Sequence, residues 1–233
     1  MKKALVTGGT RGIGRAVAQV LKKDGHQVVV TGTSEKGEPP PGCGYMACDF
    51  SDLQAVRRFA GRVSKLDFSI LVNNAGMNKV GELASYDPKD FIRIQQVNVT
   101  APFILCQSVV PGMQKRRFGR ILNVASIFGV VSRAGRSAYS ASKFALLGMS
   151  RALALEVAKD NILVNCIAPG FVDTDLTRRI LGKKGLVQMA GRIPMGRLAD
   201  AQEIAQVVRF LVSSENSYIT GQNVIVDGGY TCE

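Results

Sequence analysis

Tyr139 and Lys143 stand four residues apart in Tyr139-Ser140-Ala141-Ser142-Lys143, at the start of a segment where Leu146, Leu147, Ala152 and Leu153 recur with helical period. On a helix such a pair shares one face. A phenol titrates near ~10, too high for proton exchange at neutral pH, and a neighbouring ammonium favours its ionised form. The pair is suited to hand a proton to a carbonyl oxygen as a hydride reaches the carbon. Tyr-x-x-x-Lys also arises by chance on helix surfaces, so its surroundings must carry the claim. Ser126 follows the apolar run Ile121-Leu122-Asn123-Val124, and the carboxyl end of a strand is where a hydroxyl reaches such a ligand. Asn73-Asn74-Ala75-Gly76 follows Ile70-Leu71-Val72 in the same way.

A second chemistry lies near the start of the chain. Thr7-Gly8-Gly9-Thr10-Arg11-Gly12-Ile13-Gly14 sits between an apolar strand-like run and a helix-period segment. There glycines let the backbone turn sharply and approach a pyrophosphate at a helix N-terminus. The next strand ends Thr31-Gly32-Thr33-Ser34 without the carboxylate that holds adenosine ribose hydroxyls in NAD sites; Glu35 lies beyond the strand end. Arg11, Thr33, Ser34 and Lys36 are instead suited to surround a 2′-phosphate. NADPH/NADP+ is the expected cofactor, with NADH less favoured.

The elements that must position these residues are legible as an alternation. Ala4-Leu5-Val6, Val28-Val29-Val30, Ile70 to Val72, Ile121 to Val124, Leu163 to Ile167 and Val224-Ile225-Val226 read as buried strands, with helical patterns between most of them. This predicts a single α/β domain over 1–233, a parallel sheet covered by helices on both faces. Asp200 with Glu203 reads as a capping box ahead of the stripe Ile204, Val207, Val208 and Leu211. Pro39-Pro40-Pro41 forbids a helix interior, so a crossover helix is expected to be missing or stunted there. The basic stretch Thr177 to Arg197 follows a strand end and is either a substrate lid or a solvated helical insertion.

Composition narrows the class. Of 233 residues 46% are hydrophobic and 21% charged, enough for a core without disulfides or metals. Five scattered cysteines and one histidine, His26, give no metal-ligand pattern, so no metal site is expected. Cys106 and Cys166 read as packing residues, Cys232 as exposed, and His26 as a solvated loop residue. A net charge of +12 favours anionic partners, among them nucleic acid, an acidic carrier protein or a phosphorylated cofactor. No nucleic-acid motif, membrane span or signal peptide is read, which points to a cytoplasmic protein without nucleic-acid or membrane partners.

In order and spacing, the glycine turn 8–14, Asn-Asn-Ala-Gly at 73–76, Ser126 thirteen residues before Tyr139, Tyr-x-x-x-Lys and Pro169-Gly170 resemble the short-chain dehydrogenase/reductase family. The resemblance runs from Lys2 to Tyr230. Ala168-Pro169-Gly170-Phe171-Val172-Asp173-Thr174-Asp175, Tyr218-Ile219-Thr220-Gly221-Gln222 and Asp227-Gly228-Gly229 bring it nearest to bacterial 3-oxoacyl-acyl-carrier-protein reductases. It implies a doubly wound Rossmann-type fold of about seven parallel strands and NADPH-dependent reduction of a carrier-linked 3-oxoacyl thioester to the 3-hydroxyacyl thioester. Tyr139 would be the proton donor, Ser126 would bond the substrate oxygen, Lys143 would hold the nicotinamide ribose and tune Tyr139, and Asn98 would anchor a relay water. Gly8, Thr10, Arg11, Gly12, Ile13 and Gly14 would line the pyrophosphate, with Thr33 and Ser34 at the 2′-phosphate. Asp49 and Phe50 would line the adenine, and Asn74, Ala75 and Gly76 the central ribose. Pro169, Gly170, Val172 and Thr174 would flank the nicotinamide. Arg117 matches a carrier-docking position, whereas Asp160 stands where a second arginine is common and leaves Lys159 to compensate. A homotetramer through helices near 100–115 and 140–158 and C-terminal segments around 205–230 is also implied. The alternatives are an NADP(H)-dependent enzyme of a free ketone, sugar or specialised-metabolite alcohol, and a non-catalytic nucleotide- or nucleic-acid-binding protein.

Overall fold

The computed structural model describes residues 1–232 and begins with β1 (Lys3–Val6), the glycine turn and α1 (Gly12–Lys23). Ala4, Leu5 and Val6 are fully buried, as a strand covered on both faces requires. α1 turns Ala16, Val17, Val20 and Leu21 inward and ends on Lys22 and Lys23, whose charges suit a helix C-terminus. β2 (Gln27–Gly32) then leads to β3 (Gly44–Ala47) with no helix between them, and Pro39-Pro40-Pro41 lies in that connection as expected.

The chain continues through α2 (Leu53–Val63), β4 (Ile70–Asn73) and α3 (Pro88–Gln95), and a wide π turn, Gln96–Thr100, feeds α4 (Ala101–Arg116). β5 (Gly119–Val124), α5 (Ser137–Val157), β6 (Ile162–Pro169), α6 (Asp175–Ala190), α7 (Ala201–Val212) and β7 (Asn223–Val226) complete it. The seven strands lie in the order β3-β2-β1-β4-β5-β6-β7, and every pairing is parallel. Chain order reverses between β1 and β4, and the crevice beyond their carboxyl ends is where a doubly wound sheet binds ligands. α1 and α7 cover one face through Val17, Leu21, Ile204, Val208 and Leu211. α2, α4 and α5 cover the other through Val56, Phe59, Leu105, Val109, Ala154 and Val157. The capping box of Asp200 and Glu203 is present at α7.

A buried polar ladder fixes the helix that carries Tyr139 and Lys143. Asn73 Nδ2 donates to Asn123 Oδ1 at 2.8 Å, and Asn123 Nδ2 donates to Ser150 Oγ at 2.7 Å. The Cys166 thiol also donates to Ser150, at 3.1 Å, and Ser150 donates to the Leu146 carbonyl at 2.7 Å. β4, β5, β6 and α5 are thereby tied in one register, and an unmade bond here would cost ~1–3 kcal/mol.

Cys106 and Cys166 are buried and Cys232 is exposed, as expected. His26 is not the solvated residue expected: it is half-buried between α1 and β2, its Nδ1 enclosed with no partner among the described residues, and burial lowers its pKa. Among the described residues no helix is long and apolar enough to cross a membrane.

Candidate active site

The glycine turn is stapled to the end of β4. Thr7 Oγ1 accepts from the amides of Asn74 and Ala75, each at 2.9 Å, while Asn74 Nδ2 donates to the carbonyls of Thr7 (2.9 Å) and Gly8 (3.1 Å). Gly8 takes φ +63°, and a Cβ on Gly14 would lie 2.4 Å from both Asn74 Nδ2 and the Gly8 oxygen. Arg11, the N-cap of α1, makes no capping bond with its side chain, and the first turn carries no acid. The helix therefore presents free amides and a positive dipole end in front of a side-chain-free turn, which fits the pyrophosphate of a dinucleotide. Gly14→Ala is expected to weaken cofactor binding at least tenfold and to cost the fold ~1–3 kcal/mol through the forced backbone shift. Calorimetric titration and denaturant melts check both; unchanged affinity would remove the turn from the site.

At the adenosine end Arg11, Thr33 and Ser34 are exposed, and the Tyr45 hydroxyl donates to the Ser34 carbonyl. Asp49 Oδ1 accepts from the Ser51 amide and hydroxyl at 2.9 and 2.8 Å, which lowers its pKa. The cap of α2 is Asp52. Phe50 is buried, edge-on to Phe59 with ring centroids 5.9 Å apart. A groove of about 260 Å³ opens here between Thr33, Glu35, Asp49, Arg58 and Arg62. The two arginines, both on α2, add positive charge beside Thr33 and Asp49. A larger cavity, about 420 Å³ near Lys2, Lys3 and Lys65, lies at the opposite end of the strands.

At the reacting end the four expected side chains converge. Asn98 is 1% exposed on the π turn, a widening frequently found at functional sites. Its Oδ1 accepts from the Met77 amide at 2.9 Å, and its Nδ2 donates to the Met77 carbonyl and Ser142 Oγ, both at 3.0 Å. A Cβ on Gly76 would stand 3.5 Å from Asn98 Oδ1 and 3.8 Å from Lys143 Nζ, so glycine leaves open the space both groups border. Lys143 Nζ donates to the Val124 carbonyl at 2.7 Å and lies 5.5 Å from the Tyr139 ring centroid. Burial lowers the Lys143 pKa to about 8. Burial likewise pushes the Tyr139 phenol up, against a hydrogen bond with Ser126 and the charge of Arg136. Ser126 Oγ also accepts from the Phe128 amide at 3.1 Å.

Known proteins resemble this chain along nearly its whole length. The family model described as Enoyl-(Acyl carrier protein) reductase matches residues 8–231. A Vibrio cholerae 3-oxoacyl-[acyl-carrier-protein] reductase is 37% identical over 98% of this chain and 96% of its own length. The chain belongs to the short-chain dehydrogenase/reductase family. A Beutenbergia cavernae structure holding NADP superposes with a TM-score of 0.93 at 30% identity, covering 100% of this chain and 97% of that one. Thermoplasma acidophilum aldohexose dehydrogenase gives 0.93 at 30% identity, with 100% and 94% covered. The protein is an oxidoreductase of CH–OH and C=O groups that uses a nicotinamide cofactor.

Within this short-chain dehydrogenase/reductase a row of aromatic rings runs beside Tyr139. Phe128 meets Tyr139 and Phe171 edge-on, each with centroids 6.3 Å apart, and Phe171 meets Tyr230 at 5.3 Å. Phe128 and Phe171 directly follow the motif residues Ser126-Ile127 and Pro169-Gly170. Nothing in the sequence marks Tyr230. β6 ends at Pro169, Val172 is buried beside Ala199, and Thr174 caps α6, its Oγ1 accepting from the Thr177 amide at 3.3 Å. The position a Cβ on Gly12 would take is 3.5 Å from Thr174 Cγ2, so this segment faces the phosphate turn. The basic stretch after it forms α6, interrupted at Gly182 (φ +63°), with Arg178 paired to Asp173 and Arg197 to Glu203. Arg117 stands at the left-handed C-cap of α4, where Asp160 pairs with it at 3.6 Å and the Lys159 carbonyl accepts from it at 2.8 Å.

Proposed function

We propose that the protein reduces a 3-oxoacyl thioester carried by acyl carrier protein to the 3-hydroxyacyl thioester, using NADPH. The observation that carries this reading is the near full-length similarity to the Vibrio cholerae reductase, joined to an intact Asn98, Ser126, Tyr139 and Lys143 set. A nicotinamide held here would supply the hydride that the carbonyl carbon receives. Ser126 and Tyr139 hold the carbonyl oxygen, and Tyr139 gives it the proton that completes the alcohol. Lys143 holds the nicotinamide ribose, and Asn98 anchors the water through which Tyr139 regains a proton. Gly8 to Gly14 hold the pyrophosphate, and Arg11, Thr33 and Ser34 the 2′-phosphate, in a neighbourhood made more positive by Arg58 and Arg62. Asp49 and Phe50 line the adenine, Asn74 to Gly76 the central ribose, and Pro169, Gly170, Val172 and Thr174 the nicotinamide. We assign a cytoplasmic homotetramer; exposed Phe103, Phe144 and Leu155 on α4 and α5 give it apolar surface to bury.

The Arg117–Asp160 pair favours a second reading. It sets a carboxylate against the guanidinium at the expected carrier-docking position, which suits an enzyme of a free ketone, sugar or other small alcohol. The two readings separate when NADPH oxidation is followed with acetoacetyl groups on acyl carrier protein, on CoA and on a small thiol, with NADH in parallel. Preference for the carrier-linked substrate, falling with added salt, is the expected result. No turnover of any thioester by protein that binds NADPH would overturn it.

A further inference from the structure

Two arginines of this chain are buried, and they are held very differently. Arg120 donates to the carbonyls of Gly119, Asn161, Ser213 and Asn216, at 2.8 to 3.3 Å. Arg136 is just 8% exposed, yet among the described residues its guanidinium donates no hydrogen bond and meets no carboxylate. Its nitrogens are not among the enclosed unpartnered atoms, so they reach solvent, and a guanidinium in that state is free to bond an oxygen acceptor that enters.

Its place indicates which acceptor. Arg136 is the N-cap of α5, three residues before Tyr139, and α5 carries no acid in its first turn. Its Cζ lies 5.4 Å from the centroid of Phe128, the ring that meets Tyr139 edge-on. The loop after β4 meets the residue before it: Gly81 donates to the Gly135 carbonyl at 3.1 Å, and Val80 Cγ1 would sit 3.2 Å from a Cβ on Gly135. The charged groups that act on it are Tyr139 and the like-charged Arg133. Five donors and the amides of a helix start thus border the aromatic wall of the reaction site without an acceptor from the protein.

We propose that Arg136 receives an acyl oxygen of the substrate that stands two carbons from the carbonyl held by Ser126 and Tyr139. This rests on Tyr139 protonating a ketone, as proposed above, and is independent of the carrier. The shared chemistry is an oxygen acceptor, either the carboxylate of a free 3-oxo acid or the thioester carbonyl of its acyl derivative. A guanidinium fork accommodates either, and a carboxylate also neutralises the buried charge. Arg136 is then a specificity-determining residue that distinguishes 3-oxoacyl compounds from simple ketones.

The test compares acetoacetate, its N-acetylcysteamine thioester and butanone as substrates for the wild type, Arg136→Met and Arg136→Lys. Arg136→Met is expected to raise KM for the acyl substrates at least tenfold more than for butanone, with partial recovery in Arg136→Lys. Equal losses on all three, or a pH profile shifted alike on all three, would mean that Arg136 acts through Tyr139 or the fold, and would overturn the proposal. Calorimetric titration of acetoacetate and the thioester into the NADP+-bound protein gives a readout without turnover. There the methionine variant is expected to bind at least tenfold more weakly, and absence of binding to the wild type would also overturn the proposal. Arg136-dependent turnover of acetoacetate without turnover of the thioester would defeat the thioester reading and leave this one standing. Equal thioester turnover by wild type and Arg136→Met would do the reverse.

Discussion

Tyr139→Phe is expected to lower kcat by about 10³-fold, inside the 10²–10⁴ range of a lost general acid, and to leave cofactor affinity within a few-fold. The substitution keeps the ring that packs edge-on against Phe128 and removes only the hydroxyl, so the fold loses little. Removal of the proton donor leaves the developing alkoxide without the group that protonates it, an increase in barrier of about 4 kcal/mol for a 10³-fold loss. NADPH oxidation with the acetoacetyl thioester gives the rate, and titration of NADP+ gives the affinity. Residual activity above a tenth of wild type would show that the proton comes from elsewhere. Burial holds the phenol protonated above its ordinary range, so reduction should persist through neutral pH and fail only in alkali. Oxidation of the alcohol, which needs the phenolate, should rise with pH over the same interval.

Much of this site is local in sequence. The glycines at 8, 12 and 14 are legible because positive φ and the 2.4 Å approach of Asn74 to the position of a Gly14 Cβ admit no other residue, and backbone constraints of that kind leave a residue-type signature. Tyr139 and Lys143 are legible because helical spacing alone puts them on one face. β3 was missed because Gly44-Tyr45-Met46-Ala47 is a half-buried edge strand, formed by pairing with β2 and by no apolar run of its own. Asn98 reads as a helix-interior amide; its placement comes from a π turn that composition does not announce. Arg136 sits three residues from Tyr139 in plain view, but burial without a partner is a property of three segments meeting, and a linear reading counts it among thirty basic residues.

Lys143→Met is expected to lose at least about 10²-fold in activity and yet to melt higher than the wild type at pH 7. The ammonium is 4% exposed and donates to one carbonyl, that of Val124. Its pKa falls from 10.5 to about 8, a penalty on the order of 3 kcal/mol for folding with the charge buried. Methionine fills the channel and carries no charge, but gives up the bond to Val124, worth ~1 kcal/mol. A net gain of ~1–2 kcal/mol remains, or roughly 2–8 °C in Tm for a domain of this length. The pH dependence identifies the cause. Below pH 8 the lysine is protonated in both states and the folded protein bears the whole penalty. Between pH 8 and 10.5 the folded form is neutral while the unfolded chain still binds the proton, so the penalty fades as pH rises, and above 10.5 it is gone. The Tm advantage of Lys143→Met should therefore be constant below pH 8 and vanish by about pH 10.5. A variant less stable than wild type at pH 7, or an advantage unchanged at pH 10, would mean that the ammonium supports the fold. If the expected pattern holds, the chain keeps a destabilising buried cation because the reaction requires one there, beside Gly76 and Asn98 and under the ring of Tyr139.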